Sequence, residues 1–360
     1  MLNYSDHFED ITVKNTFFAG ANTPRGFEGD YDKLFSEESF DKIYMVKGGA
    51  GTGKSTLIGR CATACAEKGA CLTYIKCSSD PDSLDGVIIE KGNKKIAVID
   101  STAPHVTDRK YPGACSEIVD CGEFWDSAQL EKRREEIILY SKNKSASYER
   151  AYRYLSAAGE LFRMQQRLAD TVLMKDKMEK AINRLCDGFV SKNDSGEVLF
   201  RRTQCISMKG AFRLSSFENE KTLFGVRDYS FLSPIFFELL KTELLKRGLT
   251  VEVSVSPVFG ICEIHIPSER CSFVPFRNDK EFYKCVNLAR FANTKKAQEV
   301  KQKRLFSSRC LVGMLEGALE SLEDAGKAHF LLEDIYKSAM DFDALDIAGK
   351  ALEKNISDRL

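Results

Sequence analysis

No stretch of this sequence approaches eighteen uninterrupted apolar residues, so none is expected to cross a membrane as a helix. The densest apolar run, FLSPIFFELL at 231–240, is broken by Ser233, Pro234 and Glu238. Net charge is missing too. The 53 Lys and Arg are balanced by 53 Asp and Glu, which excludes a surface that is wholly polycationic or acidic and leaves room for local patches. The opening residues MLNYSDHFED have neither the basic start nor the apolar run of a secretory signal. None of the 12 cysteines forms a C-x-x-C pair; Cys61 and Cys65, the nearest two, are at helical spacing and read as small apolar packing. One Trp and eight Pro set no special class. These absences predict a cytoplasmic protein with reduced thiols and no membrane contact.

What is present is length and a phosphate-binding pattern. At 360 residues, with 43% hydrophobic and 29% charged residues, the chain is a folded protein of more than one domain. Ile43–Val46 is a short β-favouring run. Gly48, Gly49, Ala50, Gly51, Thr52, Gly53, Lys54 and Ser55 then fit G-x-x-x-x-G-K-[ST], and Thr56 opens a helical stretch with Leu57, Ile58, Cys61, Ala62 and Cys65 on one face. Gly69 closes that helix. Glycines let successive N–H groups point at phosphate oxygens, and the helix N-terminus adds its positive end. The pattern assigns Lys54 to the β- and γ-phosphates, Ser55 to Mg²⁺ and Thr56 to the α-phosphate. Lys47 lies before the first glycine, so the signature lysine of the KGGxGK[ST] dimerising ATPases is not matched.

A second carboxylate for the magnesium shell is expected at the end of a buried strand. Lys95–Asp100 provides it, with Asp100 as the metal residue and no Glu following. The general base therefore lies elsewhere. Asp80, Asp82 and Asp85, in the loop after the strand CLTYIKC, are candidates, with a solvated turn as the plainer alternative. His105 is a further candidate as a γ-phosphate sensor. About 17 residues separate Cys77 from Lys95, too few for a crossover helix and its strand, which leaves a hairpin open there.

The second half repeats the first without its chemistry. Thr222–Val226 is again strand-like, Phe231–Lys246 is again an amphipathic helix, and LTVEVSVS after Gly248 matches ACLTYIKCS after Gly69. The loop does not survive: residues 226–234 read VRDYSFLSP, with Pro234 opposite the magnesium serine and Pro275 or Phe276 where Asp100 is expected. Helical sequence follows each copy, with LSAAGEL at 155–161 echoed by LEDAGKA at 322–328. The predicted organisation is a P-loop domain (1–125), a helical region (126–190), a degenerate P-loop-like repeat (191–278) and a C-terminal helical region (279–360). Lys295, Lys296, Lys301, Lys303 and Arg304 form one basic stretch, read as a solvated helix face or a stripe meeting phosphates.

The segments FFAGANTPRGF (17–27), KGGAGTGKST (47–56), CSSDPDSLDGVII (77–89), IAVIDSTAPHV (96–106) and KYPGA (110–114) resemble a bacterial family of tandem P-loop ATPases. The resemblance is dense over the first 125 residues and weaker beyond. It implies an α/β P-loop NTPase fold of mainly parallel sheet flanked by helices, with ATP binding and hydrolysis. It marks Asp80, Asp82, Asp85, Thr102 and His105 as motif positions. Family members generally carry a loop in each half, and this chain has lost the second.

The expectation is an Mg²⁺-dependent ATPase with one working site and a pseudo-symmetric inactive half. ATP is preferred to GTP because no N/TKxD guanine motif is evident. Arg227 or Arg270 is the candidate to complete the site in cis, and Arg25 a further phosphate candidate. Alternatives are a small-molecule or nucleotide kinase, and a nucleotide-controlled switch whose helical regions contact a protein or nucleic acid.

Overall fold

Alternate residues of the run 43–46 take opposite sides of a sheet. Tyr44 and Val46 join one apolar core and Ile43 and Met45 another, so a strand buried on both faces reads as continuous apolar sequence. The computed structural model describes residues 8–103, 110–189 and 195–360. Its first half contains β1 (Glu9–Ile11), β2 (Thr16–Phe18), the hairpin β3 (Gly20–Thr23) and β4 (Gly26–Gly29), α1 (Tyr31–Leu34), β5 (Lys42–Lys47), α2 (Lys54–Glu67), β6 (Cys71–Lys76), β7 (Leu84–Lys91), β8 (Lys94–Asp100) and β9 (Ser116–Asp120). Three helices follow, α3 (Ser127–Lys132), α4 (Arg134–Val172) and α5 (Lys175–Cys186).

The second half repeats this order. It has β10 (Val198–Phe200), the hairpin β11 (Gln204–Ser207) and β12 (Gly210–Leu214), β13 (Thr222–Arg227), α6 (Ser233–Lys246), β14 (Val251–Ser256), β15 (Gly260–Ile266), β16 (Cys271–Pro275) and β17 (Lys284–Asn287). Then come α7 (Thr294–Glu299), α8 (Lys301–Ala339) and α9 (Phe342–Asp358). The two six-stranded sheets run β2-β6-β7-β8-β5-β9 and β10-β14-β15-β16-β13-β17, the same order copy for copy. In each, the third strand is antiparallel to both neighbours and the other pairs are parallel. The class is α/β, with mixed, mostly parallel sheets flanked by helices. The short span between Cys77 and Lys95 is resolved by β7, which returns antiparallel because no crossover helix fits.

The likeness extends to hydrogen bonds. Thr23 Oγ1 donates to Gly26 O at 2.9 Å and accepts from Arg25 N at 3.1 Å; Ser207 Oγ donates to Gly210 O at 2.8 Å and accepts from Lys209 N at 3.1 Å. Each hairpin tip rests on a mid-helix glycine. A Cβ on Gly159 would lie 2.9 Å from Pro24, and one on Gly326 3.1 Å from Met208. The matched glycines of LSAAGEL and LEDAGKA thus mark close approach of helix and hairpin.

Helices α4 and α8, 39 residues each, pack antiparallel: Arg150 meets Ser321 and Asp324, while Gln165 meets Arg304 and Ser308. Their length carries each half's last helix to the other half. Leu345 and Ile356 of α9 complete the core beneath α2, and Met178, Ile182 and Cys186 of α5 complete the core beneath α6. The exchange is reciprocal at the backbone, where Asp341 N donates to Phe124 O and Met174 N to Phe291 O. Among the described residues no helix is long and apolar enough to cross a membrane. All twelve cysteines are free thiols, and burial pushes Cys61 up to about 12, as befits a packing residue.

Glu263 of β15 is buried beside Arg213, and Thr203 Oγ1 donates to it at 2.8 Å. Burial raises its carboxyl from the ordinary 4.5 to about 7, against the pull of Arg213. A raised folded value favours folding fully below pH 4.5 and loses that contribution as pH rises through 7, a difference on the order of 3 kcal/mol. Glu263→Gln should therefore gain stability relative to the parent chain as pH rises from 5 to 8, read from paired thermal melts. A constant difference would contradict the assignment.

Candidate phosphate-binding site

The loop after β5 turns back into α2 through left-handed residues. Gly51 and Gly53 have φ of +71° and +83°, values that disfavour any side chain, and Gly53 is the N-cap of α2. Thr52 is buried and its hydroxyl donates to Gly49 O at 3.0 Å, bracing the loop from within. The predicted apolar stripe is seen as drawn: Leu57, Ile58, Cys61, Ala62 and Cys65 are the buried residues of α2.

Lys54 and Asp100 sit together, 12% and 14% exposed, with Nζ 3.6 Å from the carboxylate. Lys54 Nζ also donates to Gly49 O at 2.7 Å and Gly48 O at 3.2 Å, so its charge lies at the mouth of the loop. Ser55 Oγ accepts from Leu84 N at 2.8 Å and retains a lone pair for a further ligand. Asp100 accepts from Thr102 N at 2.8 Å, and Thr102 Oγ1 donates to Gly48 O at 3.1 Å. Thr56 is exposed one residue along α2. Ala50 lies within the loop and contributes only backbone. Among the described residues no cluster of three or more His, Cys, Asp or Glu forms a metal cage.

The three acidic-loop residues separate into two roles. Lys209, from the hairpin of the second half, reaches Asp80 and Asp82, each at 2.6 Å, so these two clamp the halves together. Asp85 is buried, one residue beyond the Gly86–Ile99 pair and so beside Asp100, and Tyr31 Oη donates to it at 3.0 Å. Burial first, then the Asp85 charge, pushes the Tyr31 hydroxyl and the Cys77 thiol well above their ordinary ranges. His105 lies outside the described residues.

Two groups at this site carry no motif. Burial, then the charge of Lys54, lowers the pKa of Lys144 on α4. The C-terminal end of α8 lies on the loop: a Cβ on Gly51 would sit 2.7 Å from Glu333 O and one on Gly49 3.0 Å from the Tyr336 ring. The Tyr336 ring in turn packs on Trp125. His329, with Nε2 3.6 Å from the carboxylate, and Lys337 at 2.9 Å flank Glu333 and hold its carboxyl down at about 2, His329 contributing most. Helical i,i+4 spacing of His329, Glu333 and Lys337 was legible, but not the surface it meets.

The arginines expected to complete the site are elsewhere. Arg227 stacks on Phe276 with 3.9 Å to the ring centroid. Arg270 precedes β16, at the sheet edge away from the loops, and reaches Glu220. Arg25 points outward to Glu28. Strand register settles the degenerate counterpart of Asp100: Val46 pairs with Asp100 and Val226 with Pro275, so it is Pro275.

No family model, curated protein or solved structure matches the chain.

Proposed function

We propose that the first half binds ATP with Mg²⁺ and hydrolyses it, within a P-loop NTPase fold of which the second half is a non-hydrolysing copy. The carrying observation is the pairing of Lys54 with Asp100 at the C-terminal ends of β5 and β8, where a left-handed glycine loop leads into α2 and Ser55 follows Lys54 in its first turn. The donor set fits the cation: a hydroxyl and a carboxylate oxygen suit Mg²⁺, which keeps several waters and shares phosphate oxygens. Ser55 and Asp100 would hold it, and it would supply charge neutralisation on the phosphates. The loop N–H groups and Lys54 cradle the phosphates, and Lys144, whose pKa the Lys54 charge lowers, adds positive charge nearby.

Of the three acidic-loop candidates we assign the role of orienting water or accepting its proton to Asp85, which lies beside Asp100 and is held by Tyr31, whereas Asp80 and Asp82 pair with Lys209 across the halves. Asp85→Asn should lower kcat by about 100-fold or more while ATP affinity stays within about threefold. An equal loss of affinity would instead assign Asp85 to the fold of the loop. Phosphate release, measured with and without DNA, RNA and cell extract, tests the activity itself.

A second reading is favoured by the seat of α8 on the loop: a nucleotide-controlled switch with slow turnover. Bound phosphate would then alter the contact of Glu333 and Tyr336 with Gly51 and Gly49. Hydrogen exchange across 329–345 should slow on ATP addition. Exchange there that ignores ATP while the loop is protected would reject the switch.

A further inference from the structure

Where the first half keeps its phosphate loop, the second half keeps a cavity of about 870 Å³. It opens at the C-terminal edge of β13, β14 and β16, between the turn 228–233 and the N-terminal end of α8. The phosphate position at the N-terminus of α6 is already filled by the protein: the Asp228 carboxylate accepts from Ser233 N at 2.7 Å and Phe231 N at 3.1 Å. A nucleotide phosphate cannot dock there as it would on α2.

Positive charge comes instead from the facing wall. Lys301 and Arg309 are exposed at the rim, and neither pairs with a carboxylate among the described residues. Arg304 is 8% exposed with Nε unpartnered, and the hydroxyls of Ser230 and Ser256, both 3% exposed, are unpartnered as well. All three residues line the cavity. Buried polar atoms are normally satisfied, so three unpartnered ones within the residues of a single wall set that wall apart from an ordinary apolar core. The rest of the wall is aromatic and aliphatic, including Phe231, Phe237, Ile261 and Phe276.

We infer that this cavity binds a small amphiphilic monoanion, its apolar body among Phe231, Phe237 and Phe276 and its head group on Arg304, Lys301 and Arg309. The volume suits a molecule of that class. The site uses the basic stretch at the start of α8, with Lys301 at the rim of the cavity and Arg304 in its buried wall.

The test is a fluorescence titration of the full chain with 8-anilinonaphthalene-1-sulfonate, a fused-ring body bearing one sulfonate. One saturable site per chain is expected, displaced by dodecanoate and not by dodecanol. Lys301→Glu with Arg309→Glu, at exposed positions, should weaken Kd by about tenfold or more. Ser256→Phe, filling the void, should remove binding; should that variant not fold, the exposed double reversal decides. Lys54→Ala should bind the probe normally. Absence of saturable binding, equal displacement by dodecanol, a double reversal within about twofold of the parent, or loss of probe binding in Lys54→Ala would each overturn the inference.

Discussion

Lys54→Ala should abolish ATP binding and turnover. The side chain is 12% exposed and its ammonium lies 2.7 Å from Gly49 O and 3.6 Å from Asp100, so it is held at the loop mouth before any phosphate arrives. Charge-assisted hydrogen bonds are worth about 1.5–3 kcal/mol each, and loss of contacts to two phosphates amounts to at least about a 100-fold weakening. Asp100, left without its cation, would add repulsion toward the phosphates. Ser55→Ala supplies the contrast: nucleotide should still bind, with magnesium dependence and turnover lost. Calorimetric titration of ATP against each folded variant separates the two. Full ATP affinity in Lys54→Ala would refute the loop assignment, because Lys54 Nζ is the ammonium that donates to Gly49 O and Gly48 O at the loop mouth.

Ile356→Asp should unfold the first half although residue 356 belongs to the second. Ile356 is fully buried in the core of β5, β8 and α2. An unpaired carboxylate there costs several kcal/mol, against a total domain stability of about 5–15 kcal/mol. Ile182→Asp is the mirror experiment, striking the core of β13, β16 and α6 from a helix of the first half. Hydrogen exchange of strand amides reads both. Protection should fall first in β5 and β8 for Ile356→Asp, and first in β13 and β16 for Ile182→Asp. The opposite assignment, with each variant damaging its own half, would disprove the exchange of α5 and α9. The exchange also implies that a fragment ending at residue 190 lacks the cover of α2, including the Arg60 ion pairs to Asp346 and Glu353 at 2.5 and 2.6 Å.

The loop, its helix and the repeat were legible because each is local chemistry or a local period. G-x-x-x-x-G-K-S dictates a turn that only glycine tolerates at Gly51 and Gly53, and the stripe from Leu57 to Cys65 dictates the buried face of α2. Lys144 was not legible. On α4 it reads as one more charge on a solvated face, and only the fold brings it within reach of the Lys54 charge. The acidic loop was legible as carboxylates and not as a clamp, since Lys209 is contributed from 127 residues away. Pro275 and Phe276 were equal candidates to stand for Asp100 until strand register chose between them.

By itself, then, the amino-acid sequence determined a phosphate-type loop in one half and its loss in the other. Backbone conformation and hydrogen bonding at a turn depend on the residues within it. Only the tertiary structure decided which half each terminal helix covers, what roofs the loop, and that the degenerate half retains a cavity. An apolar stripe states that a surface will be buried and not against what, because the hydrophobic effect has no direction. The partner is selected by the reach of two 39-residue helices and by the shapes that meet at their ends.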